Sequence, residues 1–98
     1  MKCLCEPNVV RSALEPDQQV RRGISKLIGV VGSLSFGELM RHNGVHLEKL
    51  VNLTDPVSGL PLYSPRATSA ARVTAIVRGD ELHLLAVHAE HHDAYKRR

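Results

Sequence analysis

Six apolar residues, Val20, Ile24, Leu27, Ile28, Val31 and Leu34, follow one another at spacings of four, three, one, three and three. On an α-helix that spacing draws one stripe, and a helix with a single apolar stripe has to lay it against a partner. In the second half of the chain the pattern changes. Arg72–Arg78 is rich in β-branched residues, Arg78-Gly79-Asp80-Glu81 supplies turn residues, and Leu82–Ala89 is again apolar apart from His83 and His88, so the two runs read as a β-hairpin. A helical stripe followed by paired strands implies an α+β domain, with helices on one face of an antiparallel sheet. The other face is then left for function.

The remaining segments fit the same plan. Lys2–Glu6 alternates charged and apolar residues as a short strand does, Pro7-Asn8 ends it, and Asn8 offers an N-cap for a short helix over Val9–Leu14. Pro16 and Asp17 favour initiation of the striped helix, Pro through its fixed φ and Asp through its charge at the positive helix end. Gly23, Gly29 and Gly32 each weaken that helix by up to about 1 kcal/mol relative to Ala, so it depends on packing and can stop before Ser33. Ser35-Phe36-Gly37-Glu38 is a capping box for a third helix, Phe36–His42, whose end is expected to place Gly44 in the left-handed conformation. Leu53–Pro61, with Asp55-Pro56, Ser58-Gly59 and Pro61, reads as the main loop. Leu62–Ala67 reads as a strand that Pro65 confines to an edge or a bulge. The polar stretch Glu90–Arg98 reads as a final helical turn or a tail.

Ninety-eight residues, 43% hydrophobic and 23% charged, are enough for one compact core, so residues 1–98 are expected to form a single domain. The longest nearly uncharged stretch, Leu27–Gly37, is too short to cross a bilayer, and the first residues lack the segments of a signal peptide. A cytoplasmic protein without membrane association is the expectation. Cys3 and Cys5 stand two apart, a spacing that suits neither an ordinary disulfide nor, alone, a zinc site, and they read as reduced, half-buried strand residues.

The formal net charge is +3 with six histidines uncounted, which favours an anionic partner. Histidine and arginine concentrate late in the chain, with His83, His88, His91 and His92 within ten residues, Arg66, Arg72 and Arg78 nearby, and Tyr95 following. His88, His91 and His92 with Glu90 or Asp93 have the ligand types for a metal, but the run lacks the helical i, i+4 histidine pair around a glutamate. No metal or other cofactor is expected. Metal-free RNA cleavage needs a base, an acid and cations for the charge that develops on phosphorus, and histidine, tyrosine and arginine suit those roles. Solvated surface is the plain alternative for any one of these histidines.

Leu62-Tyr63-Ser64-Pro65-Arg66, Ala71-Arg72-Val73, the glycine turn, the run Leu82–His88 and His91-His92-Asp93-Ala94-Tyr95 together resemble the RelE/ParE superfamily of toxins from bacterial toxin–antitoxin pairs. The likeness covers roughly residues 44–97, with His46-Leu47-Glu48-Lys49-Leu50 matching the segment that leads into the sheet. It implies a helical hairpin packed on one face of a small curved antiparallel sheet, and a toxin held in check by a cognate antitoxin. RelE-like members cut messenger RNA, commonly on the ribosome; ParE-like members poison DNA gyrase without nuclease chemistry; an inactive or regulatory relative is a third possibility. The C-terminal histidines with Tyr95 favour the ribonuclease branch. On that resemblance one of His88, His91 and His92 serves as base or acid, Tyr95 as stacking platform or second proton-transfer group, and Arg72 as the cation at the transition state. The same resemblance makes Arg66 and Arg72 matches for the basic sheet positions that hold the phosphate backbone, and implies Arg66, Arg78 and Lys49 as RNA-binding cations.

Overall fold

A computed structural model describes residues 1–12, 18–68 and 71–88. The chain runs β1 (Lys2–Cys5), α1 (Pro7–Ser12), α2 (Gln18–Ser33), α3 (Phe36–Met40), β2 (Glu48–Thr54), β3 (Pro61–Ser64), β4 (Arg72–Arg78) and β5 (Glu81–His88). The five strands form one sheet in the order β1-β5-β4-β3-β2. The fold is α+β, with α1 against β5 and α2 against β1. No helix among the described residues is long and apolar enough to cross a membrane.

The α2 stripe buries as its spacing requires. Ile24, Leu27 and Val31 are sealed against Val73, Ala75, Leu82 and Leu84 of the central strands, each burial being worth about 2 kcal/mol relative to exposure. Ile28 lies at the edge of the stripe and stays 36% exposed. Gly29 and Gly32 face open space and do not stop the helix before Ser33. Gly23 is different, because a Cβ there would lie 2.6 Å from Thr68 Cγ2, so α2 approaches the 67–68 segment as closely as it does only through a glycine. Pro16 and Asp17 fall outside the described residues.

Local chemistry sets the other ends. Helix α1 starts at Pro7 rather than after Asn8, because the Glu6 carbonyl accepts from the amides of Val9 (2.9 Å) and Val10 (3.2 Å), and proline, having no amide to satisfy, suits the first helical position. The capping box of α3 is complete, with the Ser35 hydroxyl accepting from Glu38 N–H at 3.3 Å and the Glu38 carboxylate from Ser35 N–H at 2.9 Å. Those bonds hold the Glu38 carboxyl below its ordinary pKa. Helix α3 ends at Met40 and Gly44 keeps a negative φ; the left-handed residue is His46, at φ 47°. The imidazole of His42 closes the turn after α3 instead, its Nδ1 accepting from Val45 N–H at 3.1 Å.

The sheet is antiparallel from β2 to β5, as expected, and β1 joins β5 in parallel, with Cys3 beside Leu82 and Cys5 beside Leu84. Alternation within a strand carries no information about its partner's direction. A parallel neighbour needs a long crossover, and here nearly the whole domain supplies it. Strand β2 begins well before the expected loop, and only residues 55–60 form the turn to β3, which closes with Gly59 at φ 74°. Strand β3 stops before Pro65, whose carbonyl still accepts from Val73 N–H at 3.0 Å.

One irregularity decides what the end of β5 presents. Thr74 pairs with Ala86 but Ala75 with Leu84, which leaves Leu85 as an extra residue in β5. Leu82 and Leu84 face the helices; beyond the bulge Val87 does so, and His88 turns to the opposite face. Regular alternation would have put His88 on the Leu84 side. That opposite face is not bare, since Arg72 and Ser64 are fully buried on it and Ile76 is 3% exposed.

Candidate functional site

Arg72 and His88 are direct cross-strand partners at one end of the sheet, on the face turned away from the helices. His88 is half-buried, and its Nε2 lies 2.7 Å from the Thr74 hydroxyl, a contact that fixes the ring against β4. Imidazoles exchange protons near neutral pH, and one oriented in this way is suited to proton transfer.

The structure gives Arg72 a different role from the phosphate contact that the resemblance implies. Its side chain has no exposed surface; Nε donates to the Ser64 hydroxyl at 3.1 Å, and Nη2 donates to the carbonyls of Ser64 at 2.5 Å and His46 at 3.1 Å. Nη2 also lies 3.8 Å from Glu48 Oε1. A guanidinium committed in this way holds the start of β2 over β3 and β4. It fixes neighbouring groups and does not itself reach solvent.

The groups it fixes were not among the sequence candidates. Glu48 accepts from His46 Nε2 at 2.8 Å, forming a half-exposed histidine–carboxylate pair beside Arg72. His46 is held in the left-handed region from both sides, its amide donating to the His42 carbonyl at 2.9 Å and its carbonyl accepting from Arg72. Strained backbone of this kind persists only where the surroundings over-determine it. The ring also borders a cleft of about 360 Å3 at the α3–β2 turn. The one sequence signal for this pair was His46-x-Glu48, the period that puts two residues on one face of a strand.

The remaining candidates disperse. Lys49 is exposed, but it pairs with Tyr63, whose ring packs on Phe36 of α3, so Lys49 belongs to the helix side of the edge strand. Arg66 bridges to Arg72 through the backbone while its side chain lines a small cavity of about 40 Å3 with Gly23, Lys26 and His42, again on the helix side. Arg78 is exposed at the far end of β4, where it shares a cleft of about 280 Å3 with His83 and Glu6; His83 Nε2 lies 3.1 Å from the Glu6 carboxylate. His91, His92 and Tyr95, with the potential metal ligands Glu90 and Asp93, lie outside the described residues. The candidate site on the described part of the chain is therefore His88–Thr74 and His46–Glu48, joined through Arg72.

With this geometry in view, the architecture matches solved toxin structures. The YoeB–YefM complex of Staphylococcus aureus superposes with a TM-score of 0.57 at 16% identity, covering 89% of this chain and 93% of that one. The RelB–RelE antitoxin–toxin complex of Methanococcus jannaschii gives 0.55 at 15% identity, covering 97% and 98%. The YoeB dimer of S. aureus gives 0.53 at 17% identity, covering 94% and 97%. No family model matches the sequence, and no curated protein does. The fold is thus that of these YoeB and RelE structures over nearly the full chain, and at such identities the likeness is one of architecture alone.

Proposed function

We propose that this chain is the toxin of a toxin–antitoxin pair and acts as a metal-independent endoribonuclease on messenger RNA, in association with the ribosome in the cytoplasm. The toxin reading is supported by an architecture shared end to end with RelE and YoeB, both solved in complex with an antitoxin. A cognate antitoxin is the partner this implies.

The observation that carries the nuclease reading is the placement of His88. A bulge turns it away from the core, Thr74 orients it, and it ends the last strand immediately before the segment bearing His91, His92 and Tyr95. RNA cleavage by the neighbouring 2′-hydroxyl needs one group to take a proton and another to give one, with cations drawing the RNA in. His88 and the histidines after it are the proton-transfer candidates. Tyr95 is the stacking platform for a base. Exposed Arg78 and Lys49 add long-range attraction for RNA, and Arg72 organises the site from beneath.

Induced expression followed by mapping of RNA 5′ ends and DNA breaks in the same cells tests this. New breaks within coding RNA, lost in His88→Ala or in a His91→Ala/His92→Ala/Tyr95→Phe variant, are the expected result. DNA breaks linked to gyrase with intact RNA would instead make the chain a gyrase poison.

A further inference from the structure

We infer that the small cavity beside Arg66, on the helix side of the domain, is a binding site for one phosphate group, carried by inorganic phosphate or by a phosphate monoester. The inference does not depend on the ribonuclease reading, because this cavity and the Arg72–His88 pair lie on opposite sides of the sheet.

Three separate pieces of chain build the cavity, contributing Lys26 from α2, His42 from the turn after α3, and Arg66 from the segment after β3. The backbone holds them in place. Arg66 N–H donates to the Val45 carbonyl at 2.6 Å, and Val45 N–H donates to His42 Nδ1 at 3.1 Å. Gly23 forms part of the wall, and the methyl of an alanine there would collide with the Ala67 carbonyl. At about 40 Å3 the cavity exceeds the roughly 10–15 Å3 that one water requires and falls far below the about 300 Å3 of sites for drug-sized ligands. It suits the head of a small oxyanion and excludes a base.

The electrostatics choose an anion over water. Arg66 Nε is buried and has no acceptor among the described residues. A guanidinium stays charged at any physiological pH, and a desolvated donor on it that goes unpaired costs more than a neutral one. No acidic residue lines the cavity, and neither Arg66 nor Lys26 has a carboxylate partner among the described residues. Water would accept from Nε and leave both positive charges in place. An oxyanion accepts from Nε and also neutralises the charge. His42 adds a further donor, since a neutral ring whose Nδ1 accepts from Val45 carries its proton on Nε2. Lys26 is exposed and marks the rim. A phosphate seated here ties α2 to the 42–45 turn and to residues 66–67. This differs from the contact with an RNA backbone that the resemblance implies for Arg66, because the cavity admits a single group and leaves no path for a polynucleotide.

The test is NMR of the full chain, following the side-chain Nε–H signal of Arg66 and the amides of Val45 and Ala67. The chain is titrated at constant ionic strength with inorganic phosphate, with adenosine 5′-monophosphate or with chloride. Saturable movement with phosphate in the millimolar range, and not with chloride, is expected, and the melting temperature should rise with it. A stronger response to the nucleotide assigns the site to phosphate monoesters, and a stronger response to inorganic phosphate assigns it to the free ion. Lys26→Glu changes an exposed side chain and should weaken binding by at least about tenfold, while Arg66→Gln should remove it. Melting curves check that each variant is folded, and if Arg66→Gln is not, Lys26→Glu decides alone. Unmoved Arg66 signals, an equal response to chloride, or phosphate binding that survives Lys26→Glu unchanged overturns the site.

Discussion

The guanidinium of Arg72 donates twice to Ser64, from Nε to the hydroxyl at 3.1 Å and from Nη2 to the carbonyl at 2.5 Å, so that one buried side chain ties β4 to β3. Replacing Arg72 by Met removes those bonds and leaves the Ser64 groups sealed without a donor. A loss of about 3 kcal/mol is expected from urea denaturation, against about 1 kcal/mol for Ser64→Ala. Inactivity of an Arg72 variant should therefore track unfolding, and Arg72→Lys should fail too, because an ammonium cannot serve these acceptors from one plane.

The glycines of α2 should separate into two classes. Gly23→Ala drives a methyl into Ala67 and Thr68 and should destabilise by about 1–3 kcal/mol. Gly29→Ala and Gly32→Ala, both facing open space, should stabilise by up to about 1 kcal/mol each. Thermal melts of the three variants read the sign directly.

Cys3 is half-buried beside β5, and burial together with neighbouring Cys5 pushes its thiol pKa up to about 12; Cys5 is also raised, first by burial. The thiolate is the reactive form. Alkylation by iodoacetamide at pH 8 should be slow for both in the folded protein and should accelerate sharply in urea, with Cys3 showing the larger ratio.

Acid should loosen α3 as pH falls below the ordinary carboxylate range. The Glu38 carboxyl has a lowered pKa because Ser35 donates to it, so its contribution is present above the ordinary carboxylate range and is lost as pH falls through the folded-state value. Glu38→Gln should remove that part of the acid sensitivity, and Ser35→Ala should cost about 1 kcal/mol at neutral pH. Amide exchange in residues 36–40, followed from pH 6 to pH 3, measures it.

What could be read from the sequence was what depends on neighbours close along the chain. The Ser35–Glu38 box joins residues three apart, the α2 stripe repeats within two turns, and the β4–β5 hairpin turns on Gly79, which takes φ 60°. Strand β2 was hidden because Lys49, Val51 and Asn52 are all exposed and give its alternation little contrast. His88 was legible as a candidate, although the bulge that aims it was not. Arg72 looked like a surface cation because its burial depends on partners brought in from β2 and β3. His46 and Glu48 escaped notice for the same reason: their pairing requires a left-handed histidine, and glycine was the residue expected there.

The first strand finds its place only beside the last. Cys3 and Cys5 lie along Leu82 and Leu84, separated from them by almost the whole chain, so β1 has no neighbour to bond until β5 has been made. During synthesis the sheet consequently stays open until β5 has emerged; α1, which packs on β5, and the Arg72–His88 pair must wait as well. Closure that waits for β5 is slow in the way that any long-range pairing is. For a protein whose proposed target is the message being read, this topology is also a delay: a nascent chain that has not yet exposed β5 has no completed sheet with which to act.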